Sequence, residues 1–90
     1  GEGVRMLITS HRLTCGHHEL RVADGTVVGR AWRCPGRARG FGLSLEGICW
    51  RAGNPSINGG ITTTSCKTLT DCRDKASAAL VTVRAIRGQT

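Results

Sequence analysis

Aromatic side chains are scarce in this 90-residue chain: Trp32, Trp50 and Phe41 are the whole set, and tyrosine is absent. A platform for single-stranded nucleic acid stacks successive bases on several rings, so the composition disfavours that partner even though the charge admits it. Long apolar runs are missing too. Without about 18 consecutive apolar residues no helix spans a bilayer. No apolar segment opens the chain, and a leader peptide, if one existed, is expected to have been removed. Gly1-Glu2-Gly3 reads as an unstructured processed terminus or a cloning remnant. Phosphate loops of the G-x-x-x-x-G-K-[ST] type, nucleophile elbows, repeats and heptads do not occur.

Acidic residues are few, six against thirteen basic ones, which leaves a net charge of +7. Eleven of the basic residues are arginine. Such a surface attracts nucleic acid, anionic lipid or an acidic protein face by the same long-range field, so charge names a class of partner only. Ninety residues make one domain, 1–90, with a small core. Five cysteines in a chain this small read as a secreted, oxidised protein.

The clearest architecture lies between Cys15 and Cys34. Asp24-Gly25 separates two extended runs, a strong hairpin signal. A two-residue loop predicts Val22 opposite Val27, Leu20 opposite Gly29, Glu19 opposite Arg30 and Cys15 opposite Cys34. Alternation then puts Leu20, Val22, Val27 and Ala31 on an apolar face, and His17, Glu19, Arg21, Val28, Arg30 and Trp32 on the other. A Glu19–Arg30 pair would favour this register.

Val4 to Leu13 reads as a preceding strand with Val4, Met6 and Ile8 inward. Pro35 to Gly40 is a loop. Phe41 to Cys49 alternates cleanly, with Phe41, Leu43 and Leu45 inward and Ser44 and Glu46 outward. Asn54 to Gly60 is a turn-rich loop, followed by the β-branched run Ile61 to Thr64. Between Lys67 and Ala79, one or two helical turns capped by Thr70 or Asp71 compete with an irregular connection. Ala79 to Ile86 reads as a last strand. The expectation is an all-β protein: a small, disulfide-stapled β-sandwich of about six antiparallel strands.

An odd number of cysteines cannot pair completely within one chain. Cys15 faces Cys34 in the hairpin, at a workable cross-strand spacing. The competing bridge, Cys15–Cys49, closes a loop of about 34 residues, worth roughly 3 to 4 kcal/mol by loop-closure entropy, and is the pairing favoured here. Cys34, Cys66 and Cys72 compete for a second bridge, and the sequence does not choose. Cys15 with His17, His18 and Cys34, or Cys66 with Cys72, matches no closed metal pattern, and His17 and His18 point to opposite faces of one strand. No metal and no cofactor are expected. His11, His17, Glu19 and Glu46 supply acid–base groups, but Glu19 has Arg30 as its expected partner, so no enzyme is expected. Arg30, Arg33, Arg37 and Arg39 fall within ten residues; with Trp32 they read either as a cationic docking patch or as a solvated face.

Cys15-Gly-His-His-Glu-Leu20, followed some thirty residues on by Leu45-Glu-Gly-Ile-Cys49, resembles the MAX effectors, the ToxB-like avirulence proteins of plant-pathogenic fungi. The resemblance covers roughly residues 13 to 86. It implies two antiparallel three-stranded sheets, a disulfide at the positions of Cys15 and Cys49, and a secreted virulence protein, sometimes translocated into host cells, that binds a host protein without catalysis. Cys34, Cys66, Cys72 and the Arg37/Arg39 loop have no general counterpart in that family. A monomer acting on a host protein, with no small-molecule substrate, is the resulting expectation. A cationic antimicrobial or killer-toxin-like protein and a small secreted ribonuclease are the rival readings.

Overall fold

The structure is a computed structural model that describes residues 6–36 and 39–88. Among the described residues, seven strands precede one long helix: β1 (Thr9–Arg12), β2 (His18–Arg21), β3 (Val27–Arg33), β4 (Phe41–Leu45), β5 (Cys49–Arg51), β6 (Asn54–Ser56), β7 (Thr64–Cys66) and α1 (Leu69–Gly88). The main sheet is antiparallel with order β1-β2-β3-β4-β7, and β5-β6 form a separate hairpin. The protein is therefore mostly β with a helical layer. It is neither an all-β sandwich nor the pair of three-stranded sheets that the resemblance implies.

The first two hairpins share one turn design. Gly16 N–H donates to Leu13 O and Leu13 N–H to His17 O, at 3.0 and 2.8 Å. Gly25 N–H likewise donates to Val22 O and Val22 N–H to Thr26 O, at 2.9 and 3.0 Å. Gly16 and Gly25 both hold φ near +90°, which closes a three-residue loop at no steric cost. Asp24 Oδ1 accepts from Thr26 N–H at 2.8 Å, and hydrogen bonding to Thr26 holds the Asp24 carboxyl below its usual pKa.

The extra loop residue shifts the register near the turn, and the sheet corrects it one step later. Arg21 pairs with Val27, yet Leu20 pairs with Gly29 and Glu19 with Arg30, so Val28 is an unpaired bulge. The expected opposition of Val22 and Val27 is overturned for this reason. The two valines exchange faces: Val28 packs against the core while Val27 lines the opposite side of the sheet.

Leu20, Ala31, Leu43 and Leu45 supply the sheet's buried face. The inward alternation expected for Leu43 and Leu45 is found in β4, but the strand ends at Leu45 and a turn precedes β5. The stretch after Arg51 forms a tight hairpin in place of a loop, with Ala52 and Gly53 both at positive φ.

Against the buried face lies α1, and here the sequence reading is corrected most. Ala79 to Ile86 is helix, continuous with the turns anticipated before it. Cys72, Ala76, Ala79 and Val83 recur at helical spacing and are all buried, so tertiary burial of this stripe outweighs the β preference of Val81, Thr82 and Val83. Its N-cap is Thr68, whose Oγ1 accepts from Asp71 N–H at 3.1 Å, in place of Thr70 or Asp71. Ser77 Oγ accepts from Met6 N–H at 3.0 Å, and Arg73 donates to Ser10 Oγ at 2.9 Å, fastening the helix to the N-terminal edge of the sheet. Val4 falls outside the described residues; Met6 to Ile8 are not strand, although Ile8 is buried.

No two described cysteines are joined by a disulfide. The expected Cys15–Cys49 staple is not found, nor is the Cys15–Cys34 alternative. Cys15 belongs to the exposed β1–β2 turn, not to a strand, so it never reaches a cross-strand partner.

Candidate functional site

With α1 covering one face of the main sheet, the side chains that alternate to the other face are left open. The pairings place His11, Glu19, Arg30 and Ser44 in one row across β1 to β4, and Trp32, Gly42 and Ser65 in another across β3, β4 and β7. An open cavity of about 830 Å³ lies over these rows, with His17, Glu19, Arg30, Trp32, Ser44 and Glu46 among its lining.

Trp32 forms its floor. The indole lies over Gly42, where any Cβ would collide with the ring, so a residue without a side chain is what lets the tryptophan lie against the sheet. The His17 ring sits 6.0 Å away at 35°. Its neighbour His18 turns to the other face, 6.2 Å from Phe41. Alternation thus separates the two histidines, and among the described residues no three His, Cys, Asp or Glu side chains gather as a metal site.

The charges differ from expectation in one respect. Glu19 and Arg30 are opposite in register, but the carboxylate turns along its own strand: Arg21 Nη2 and Nε both reach Glu19 Oε1, at 2.7 and 2.8 Å. The predicted Glu19–Arg30 ion pair is replaced, and the Arg30 side chain is left exposed with no ion-pair or hydrogen-bond partner among the described residues. Arg33 reaches the cavity rim from the end of β3. Arg39 is exposed in the following loop and does not line the cavity, and Arg37 lies outside the described residues. Of the proposed arginine patch, the structure therefore joins Arg30, Trp32 and Arg33.

Ser44, Thr63 and Pro35 also line the cavity and were not anticipated as site residues. Ser44 was legible, since outward alternation in β4 and its pairing with Arg30 place it here; Thr63 enters through the β4–β7 pairing, which has no local sequence signal. Trp50, in contrast, is core: it is 3% exposed, and Lys75 lies over its ring at 6.0 Å. No helix of the described residues is long and apolar enough to cross a membrane.

The arrangement offers an aromatic floor, an exposed guanidinium and hydroxyl groups on a half-open surface, which suits recognition of an anionic group. Set against known proteins, the chain matches no family model, no curated protein and no solved structure.

Proposed function

We propose that this protein is a non-catalytic binding module that docks an acidic protein surface on the open face of its sheet. The observation that supports this most directly is the exposed Arg30, whose side chain has no ion-pair or hydrogen-bond partner among the described residues, beside a tryptophan laid over Gly42. Arginine and tryptophan are the residues that dominate binding energy when a partner buries them. The net charge of +7 adds long-range attraction for an acidic partner. In the effector reading, that partner is a host protein, and the chain is secreted and works in or around host cells.

The experiment uses the protein's own fluorescence. Trp50 is buried, so a change in emission on binding reports on Trp32. Titration with poly-L-glutamate at low salt is expected to shift that emission, and Arg30→Glu to weaken binding about tenfold or more with an unchanged Tm. Binding that survives both Arg30→Glu and Trp32→Ala would remove the open face from the proposal.

One observation favours a second reading. His17, Glu19, Arg30 and Glu46 line the same cavity, a set able to donate, accept and hold phosphate in RNA cleavage. The Arg21 contact, which occupies Glu19 Oε1, weighs against it. Incubation with a single-stranded oligoribonucleotide decides: intact RNA supports the binding module, and cleavage lost in Glu19→Gln and His17→Ala replaces it with a ribonuclease.

A further inference from the structure

Apart from the open face, the chemistry-bearing feature of the molecule is a pair of thiols between the edge strand and the helix. Cys66 ends β7, pairs with Phe41 in register and packs half-buried against the core. Thr68 caps α1 two residues later, and this start point turns Cys72 inward, where it is 0% exposed. Cys66 packs against the same buried cluster to which Cys72 belongs, and the Cys72 thiol feels Cys66 as a neighbour. Cys15 lies in the exposed β1–β2 turn, Cys34 just beyond β3 and Cys49 at the start of β5.

We propose that Cys66 and Cys72 form a disulfide on meeting a small-molecule disulfide, tying the edge strand β7 to the first turns of α1. Cys66 is the entry point because it is the accessible member. Its thiolate attacks one sulfur of the oxidant; that S–S bond breaks, one thiolate leaves and takes up a proton, and a mixed disulfide stands on Cys66. Cys72 then gives up its proton and attacks the Cys66 sulfur, releasing the second thiol. Two protein thiols lose two electrons and two protons, and one disulfide becomes two thiols. Cys72 never needs solvent access, since Cys66 reaches the same buried cluster from the edge strand. Burial, followed by the interaction with Cys66, raises the Cys72 thiol to a pKa of about 12 from 9.0, so the resolving step is expected to quicken as pH rises.

The sequence makes the test direct, because each cysteine falls on its own tryptic peptide. The reduced native protein is treated with oxidised glutathione, its remaining thiols are alkylated under denaturing conditions, and the digest is mapped by mass. The expected product joins peptide 52–67, which carries Cys66, to peptide 68–73, which carries Cys72, and is two hydrogens lighter than the two free peptides. Its Tm is expected to exceed that of the reduced form by about 5 °C, an increase reversed by dithiothreitol. In Cys72→Ala, Cys66 is expected to stop as the glutathione adduct. Recovery of both Cys66 and Cys72 alkylated, a wild-type chain that retains glutathione on Cys66, or a bridge from either one to Cys15, Cys34 or Cys49 would overturn the proposal. A variant with Cys15, Cys34 and Cys49 all replaced by serine repeats the test without competing thiols; failure to form the bridge there also overturns it.

Discussion

Gly42 decides whether Trp32 can serve as a binding floor, because the indole occupies the space a side chain would need. Gly42→Val is expected to lift the ring and strain β4, costing about 1–3 kcal/mol by denaturant unfolding. The same variant should lose poly-L-glutamate binding under conditions where it is folded. Cys72 sets a second residue-scale behaviour. Its neutral thiol is favoured by burial, and its folded-state pKa of about 12 lies above the ordinary 9.0. The stability this thiol contributes is therefore complete below about pH 9 and is lost as pH climbs from there toward 12. Urea midpoints of the reduced protein should fall across that window more steeply than those of Cys72→Ala. Neither role was fully legible in the sequence. Gly42 reads as a strand glycine until its pairing with Trp32 is known, and Cys72 reads as one of several candidates for a bridge.

At the scale of elements, the hairpin from His18 to Arg33 was foreseen in existence and in most of its register. Glu19 does face Arg30, and Leu20 does face Gly29. The Asp-Gly signal predicts a two-residue loop, whereas the loop has three residues, and that one residue is enough to exchange the faces of Val27 and Val28. The helix was the larger miss. Ala79 to Ile86 carries the β-branched residues Val81, Thr82, Val83 and Ile86, but no glycine or proline interrupts residues 61–87, and Cys72, Ala76, Ala79 and Val83 form one stripe. Propensity over eight residues gave way to burial over twenty. Because Thr68 fixes where this helix begins, Thr68→Ala is expected to cost about 1 kcal/mol and to lower helical circular dichroism at the transition's foot. A null effect on the denaturant midpoint would mean that packing alone sets the helix start.

For the molecule as a whole, the C-terminal helix is what divides the sheet into a buried face and an open one. Leu20, Ala31, Leu43 and Leu45 face α1, while Arg30 and Trp32 lie on the reverse. Docking driven by a +7 chain on an acidic polymer must weaken as counterions accumulate. Raising salt from about 0.05 M to about 0.5 M should reduce poly-L-glutamate affinity by at least about tenfold, mainly through slower association. Affinity that holds constant across that range would assign recognition to apolar contact with the indole.

The sequence by itself determined the strands with strict alternation, the hairpin around Asp24, the inward leucines of β4 and the excess of positive charge. These follow from period, turn chemistry and composition, all of which are local. Tertiary structure alone decided that residues 69–88 are helix, that β7 joins the sheet beside β4, and that the helix covers the leucine face and leaves Arg30 and Trp32 on the other. Each of those outcomes depends on which surfaces meet. Contact between segments distant along the chain is an energy that no local pattern of residues contains.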